Sequence, residues 1–186
     1  MKEQTNTTEK TVKFIRPELF RVGAIFGVIA SLLCISYTLL LYGLDFNAFG
    51  KWKYIYFPIY GLTFAGAMSY FRIKLNNGKM QGPQGVIIGM TLNLIASTIY
   101  GILLQVVLST EKMGQEIIER HATELKMMMV EGKAQIIETL GETEYNAQIE
   151  KLGQLSADTL AVDQAIGMLM FGVFATFLFM LITKQK

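Results

Sequence analysis

Four stretches of this chain contain no charged residue at all, and that constrains its fold more than any other feature. They run from Val22 to Leu44, Tyr54 to Phe71, Met80 to Thr110 and Gln164 to Thr183, and the charges crowd into the segments between them. A charge at the centre of a bilayer costs about 2.5–3.5 kcal/mol on insertion scales, so blocks of this kind mark membrane spans. The composition agrees. The chain is 52% hydrophobic and 17% charged, where soluble domains carry about a quarter charged residues.

Each run predicts one helix. Val22–Leu44 is 23 residues long, enough to cross a hydrocarbon core of about 30 Å at about 1.5 Å per residue. A secretory leader has an apolar region of only about 7–15 residues followed by a small-residue cleavage site. This run is longer and ends in Tyr-Gly-Leu-Asp, so it reads as a retained helix over 22–44, with Pro17 in position to open it. The second span is 54–71, with Pro58 in its first turns to kink it or delay its start. Gly82-Pro83 sets the third span at 84–108. The fourth occupies 164–183, with Ser156 or Asp158 as cap. Tyr42, Trp52, Tyr54 and Tyr56 gather at one boundary, the headgroup depth that amphipathic rings favour. The fold expected is all-α: a four-helix membrane bundle with an amphipathic helical insert between the third and fourth spans. The segments are a basic tail (1–21), three spans (22–109), an acidic helical segment (110–163) and a fourth span with a short basic end (164–186).

Charge sets the orientation. The net charge is +2, but residues 110–163 hold eleven acids and five bases, while the rest of the chain carries +8. The tail with Lys2, Lys10, Lys13, Arg16 and Arg21, the loop with Arg72, Lys74 and Lys79, and the end with Lys184 and Lys186 hold ten bases. Basic bias faces the cytoplasm, so both termini are expected there, in a bacterial inner membrane. The insert is then expected on the far side, with Lys51 and Lys53 in the short loop. Positive charge beside spans is explained without nucleic acid, and none is expected as a partner.

These features resemble a bacterial membrane family, the domain of unknown function 4199. The resemblance rests on the basic tail, the span VGAIFGVIASLLCISYTLLLYGLDFN, the loop FRIKLNNGKMQGPQG, the span VIIGMTLNLIASTIYGILLQ, the acidic Met-rich helix and the final lysine-ended span. It implies four helices with a long segment before the last. It implies no activity, cofactor or catalytic residue.

The third span carries the most informative pattern. Gly85, Gly89, Asn93, Ser97, Gly101 and Gln105 recur every four residues and form one slowly drifting ridge. Small residues at this spacing let a second backbone approach closely. Gly23, Gly27 and Ser31 in the first span offer a matching set, as do Gly61, Ala65 and Ser69 in the second. Helix packing is the plainer reading, and a polar-lined path or small-ligand cleft is the sharper one, with Asn93 the residue to test. No span contains Asp, Glu, Lys, Arg or His, which argues against an ion-coupled pump.

The insert predicts one or two amphipathic helices between Gln115 and Leu140. Ile117, Ile118, Leu125, Met128 and Met129 share a face and form a candidate partner or interface surface. Met suits adaptable apolar contacts, and the stripe has three candidate counterparts: the bundle, the headgroup layer or a partner protein. His121 lies near Glu116, Glu119 and Glu124. One His among scattered carboxylates is better read as a solvated or interfacial helix face than as a metal site. Cys34 reads as a small packing residue. No phosphate loop, nucleophile elbow or paired-His zinc motif occurs, so no cofactor and no enzymatic activity are expected. The expected partners are the lipid bilayer and either another membrane protein or a second copy. The function expected is that of a structural, interaction or accessory membrane subunit, with a small carrier or channel-like protein using the third-span ridge as the alternative.

Overall fold

The computed structural model describes residues 16–184. Most of the basic tail, including Lys2, Lys10, Lys13 and the polar Thr5–Thr8 stretch, lies outside the described residues, as does Lys186. Among the described residues the chain is all helical: α1 (Pro17–Gly43), α2 (Tyr56–Tyr70), α3 (Gly82–Leu108), α4 (Met113–Glu131), α5 (Lys133–Leu140), α6 (Glu142–Gly153) and α7 (Ala157–Thr183).

Three of these, α1, α3 and α7, are each 27 residues long and apolar enough to cross a membrane. At about 1.5 Å per residue each spans about 40 Å, against a hydrocarbon core of about 30 Å. Helix α2 is shorter, at 15 residues. A 3₁₀ turn, Lys51–Ile55, precedes it, and a π-helical turn, Phe71–Leu75, follows it. Pro58 explains the late start. It has no N–H to give the carbonyl four residues back, so regular α geometry begins only at Tyr56. The helical path from Lys51 to Leu75 is nonetheless unbroken.

The ends of the other helices follow local chemistry. Pro17 opens α1, and Pro83 sits in the first turn of α3, where Gln81 and Gln84 form a reciprocal cap. Ser156 caps α7, its hydroxyl accepting from the Thr159 N–H at 3.2 Å. Helix α7 therefore starts seven residues before the uncharged run and carries Asp158 and Asp163 on its first turns. Asn77 and Gly78 adopt left-handed φ of 50° and 79° in the turn between α2 and α3.

Helix α3 is central, with α1 on one side and α7 on another. Gly23 of α1 faces Ile88 and Thr91, Gly27 faces Leu92 and Ile95, and Thr38 meets the Tyr100 hydroxyl at 3.3 Å. Both series ascend together, so α1 and α3 are parallel. Against α7 the series runs the other way: Gly85 lies by Met180, Gly89 by Thr176 and Gly101 by Ala165. Helix α2 runs with α7, joined by Phe57–Phe171 and Phe64–Phe179 ring contacts and by Thr183 on Met68. The bundle thus has two poles. Arg16, Arg21, Arg72, Lys74, Lys79 and Lys184 sit at one. The 44–55 loop and the acidic insert sit at the other.

Two sequence expectations change here. The small residues of α1 do not meet the small ridge of α3. They receive its opposite, bulkier face, because a central helix must present a different face to each neighbour. Tyr56 does not join the boundary belt. It is buried, stacked toward Tyr100 at 6.5 Å. Trp52 and Tyr54 remain exposed, each with a lysine ammonium over its ring. Cys34 is buried in the bundle, the packing position expected of it.

Candidate functional site

The ridge of α3 divides into two halves with different fates. Its lower half is sealed by α7. A Cβ added at Gly89 would lie 2.8 Å from the Thr176 hydroxyl, and one at Gly85 would lie 2.9 Å from Met180 Cγ. Such spacing brings the two backbones closer than any larger residue allows.

Asn93 stands at the middle, with no solvent-exposed surface. The Tyr60 hydroxyl donates to its Oδ1 at 2.8 Å, and its Nδ2 donates to the Leu169 carbonyl at 2.9 Å. One amide therefore ties α3 to α2 and α7 at once. It lies flat against Gly172, where an added Cβ would sit 2.8 Å from Nδ2 and nearer still to Oδ1. Ser97 turns its hydroxyl back to the Asn93 carbonyl at 2.8 Å, and Thr176 does the same to Gly172. Among the described residues, no buried side-chain nitrogen or oxygen lacks a partner. The hydrogen-bonding capacity in the bundle interior is thus satisfied by the protein itself.

Above Asn93 the two helices stay close, a Cβ added at Gly101 lying 2.9 Å from that of Ala165, but their outer side is left uncovered. A groove of about 520 Å³ opens between them, floored by Ser97, Gly101, Ala161 and Ala165 and walled by Thr98, Ile102, Val106 and Val162. A smaller continuation of about 190 Å³ reaches inward to Ile166 and Leu169. At its outer mouth the Gln105 amide donates to Asp158. The six ridge residues are thus brought onto one seam with α7, three of them sealed and three lining this groove. Gly23 and Gly27 belong to a different contact.

The second cluster joins the insert to the bundle. Tyr42 donates to Glu116 at 2.8 Å, Arg120 pairs with Asp45 at 3.0 Å, and Asn47 donates to Glu124. Gly50 lies against the same Glu124 carboxylate. At the foot of α4 the chain turns so tightly that a Cβ at Gly114 would lie 3.0 Å from Leu108 Cα and nearer to its carbonyl. Ile117 is buried and Ile118 is half-buried against the core.

His121 departs from expectation. It does not lie on a solvated face. It is buried under the 44–50 loop, edge-on to Phe49 with ring centroids 5.5 Å apart, and 3.4 Å from Asn47 Nδ2. Burial pushes its pKa below the ordinary value. Lys53 adds to that shift and Glu124 opposes it. Glu116 and Glu124 are held by Tyr42 and Asn47, and among the described residues no three His, Cys, Asp or Glu side chains gather as a metal site.

The shared Met-rich face divides as well. Leu125 and Met129 are half-buried, whereas Met127, Met128 and Val130 are more than half exposed. Helices α5 and α6 pack on each other and on α4, with Tyr145 buried and Lys133 over its ring at 5.4 Å. Sequence reasoning missed α6, Tyr60, Gly172 and Thr176. Gly172 and Thr176 carry a readable signal: with Ala161 and Ala165 they form a small-residue series along α7. Tyr60 carries none, since an aromatic residue in an apolar helix is ordinary.

Fold and site together define a helical protein with three membrane-span-like helices, a self-satisfied polar interior and a docked acidic insert. The chain matches a family described as "Protein of unknown function (DUF4199)" over residues 25–185, and it belongs to that family. Comparison with curated proteins and with solved structures found no match.

Proposed function

We propose that this protein is a four-span integral membrane subunit that displays its acidic insert at the non-cytoplasmic surface for another membrane protein or a second copy. The observation that carries the reading is the docking of α4. Three polar contacts, from Glu116 to Tyr42 at the end of α1 and from Arg120 and Glu124 to Asp45 and Asn47 of the outer loop, fasten it to the bundle, while Met127, Met128 and Val130 stay exposed at the far end. A surface held out in this way suits contact with a partner, and a methionine-rich patch suits adaptable packing.

The continuous helical path from Lys51 to Leu75 supports α2 as the fourth span. It is 25 residues long, about 37 Å if fully α-helical and more with 3₁₀ geometry. The basic pole lies in the cytoplasm with both termini, in the inner membrane of a bacterium. The protein is not an enzyme in this reading, uses no cofactor and does not bind nucleic acid.

A second reading, a small carrier or channel-like protein, draws on the half-open groove along α3. The sealed lower half and the paired amide of Asn93 speak for the first. The two separate experimentally. Purification of the full chain in mild detergent is expected to retain a stoichiometric partner or second copy. Solute flux into liposomes by the chain alone, with no retained partner, overturns the subunit reading.

A further inference from the structure

We propose that the groove between α3 and α7 is a lipid slot, holding one acyl chain of a phospholipid whose headgroup ammonium rests on Asp158. The proposal shares the membrane reading above but does not depend on what the insert contacts.

Depth supports a single lipid leaflet. From Asp158 to Leu169 the slot follows eleven residues of α7, about 16 Å; the charge-free run begins at Gln164, so the outer part lies at headgroup depth and the inner five residues, about 8 Å, enter one leaflet of the hydrocarbon core. It ends where the Asn93 amide and Gly172 close the two helices together. The floor is made of small side chains, and the walls are aliphatic apart from Thr98. A transmembrane helix is about 10–12 Å across, and past the inner end of the slot Leu94, one turn below Thr98 on the same face, stands large and exposed. A flexible hydrocarbon chain fits a short, narrow slot of this kind more readily than a second helix does.

Charge selects the headgroup. Gln105 holds the Asp158 carboxylate at the slot's outer mouth. The surrounding segment 110–163 has a net charge of −6. An anionic headgroup is repelled there, whereas the ammonium of an ethanolamine lipid meets a carboxylate at its own depth.

The test uses the full chain reconstituted in nanodiscs of equal phosphatidylethanolamine and phosphatidylglycerol. Native mass spectrometry then counts the lipids that stay bound on release. One tightly retained lipid, enriched in phosphatidylethanolamine over the bulk, is expected. Val162→Trp and Thr98→Phe fill the slot from its exposed walls, away from the packed seam, and each is expected to abolish that retention while thermal melting stays unchanged. Asp158→Asn is expected to keep one lipid but lower the ethanolamine preference by about three- to fivefold, the scale of an exposed charge pair. Unchanged retention in both filled variants overturns the proposal. So does a preference for phosphatidylglycerol, or a dimer that Val162→Trp dissociates. Failure of the membrane reading itself would show separately, as a chain that stays monodisperse without any amphiphile.

Discussion

At the scale of single residues, the glycines of α7 show how differently one residue type is used. Gly172 supports the Asn93 amide and has no room for a methyl group, whereas Gly167, five residues earlier, has nothing within 4 Å of an added Cβ. Gly172→Ala is therefore expected to destabilise by about 1–3 kcal/mol through overpacking, whereas Gly167→Ala is expected to be neutral or to stabilise by up to about 1 kcal/mol through helix propensity. Thermal or chemical unfolding in detergent checks both, and equal effects would remove Gly172 from its assigned contact. Asn93 invites a double-mutant cycle with Tyr60. Interhelical hydrogen bonds in lipid average about 0.6 kcal/mol, and an orphaned buried hydroxyl costs about 1–3 kcal/mol. Asn93→Leu is expected to cost about 2 kcal/mol in total on these scales, and Tyr60→Phe is expected to cost less in that background than alone. Additive costs would show that the 2.8 Å bond contributes nothing. The ridge that contains Asn93 was legible from spacing alone. Its partner was not, because a four-residue repeat says that a face is smooth and leaves open which helix fills it.

At the scale of elements, α4 is the informative case. Its polar face is not uniformly solvated. Part of it closes over the 44–50 loop, His121 against Phe49 and Glu124 against Asn47. The groups around the His121 imidazole are Asn47 and Phe49 from the loop, Lys53 from the turn before α2, and Glu124 from α4 itself. The docked helix holds the imidazole below its ordinary pKa of 6.5, so the undocked state binds more protons as the pH falls. Docking is accordingly complete above about pH 6.5 and weakens as the pH drops through that value toward the depressed one. Crosslinking between α4 and the 44–50 loop is expected to fall over that window, and His121→Gln is expected to flatten the dependence. A dependence that persists in His121→Gln would assign it to the neighbouring carboxylates instead. The exposed Arg120–Asp45 pair adds little to docking, about 1 kcal/mol at most. Helix α6 escaped the sequence reading because only Tyr145 of its residues is buried, so its apolar periodicity is faint.

At the scale of the whole molecule, the two poles carry opposite charge, and helix directions deliver that separation. Because α1 and α3 run one way and α2 and α7 the other, the Arg72–Lys79 segment and the described chain ends fall at one pole and the acidic insert at the other, with Lys51 and Lys53 of the 44–55 loop on the insert's side. A reporter active only in the cytoplasm is expected to work when fused after Lys186 and to fail at Glu131. Activity at Glu131 would reverse or break the topology. The shortness of α2 is the one point where whole-molecule and local readings pull apart. Its α-helical core is 15 residues, yet the turns at both ends continue the path, and Tyr60, Phe64 and Phe71 are wholly buried within it. This helix gains its place from packing against three neighbours more than from hydropathy.

The local pattern of the chain was enough to determine which segments are apolar helices, where Pro17 and Pro83 start two of them, that Ser156 or Asp158 caps the last, and which face of α3 is smooth enough for close approach. These depend on residues within a turn or two of one another. Only the tertiary structure decided that the α3 ridge meets α7 instead of α1, that its upper half is left open as a groove, and that His121 and Tyr56 are covered. Each of those outcomes depends on partners tens of residues away, as in Asn47 with Glu124 or Asn93 with Leu169. Short-range periodicity gives a helix its smooth and rough faces, and the rotation that brings one face against a given neighbour is set by the packing of all the helices together.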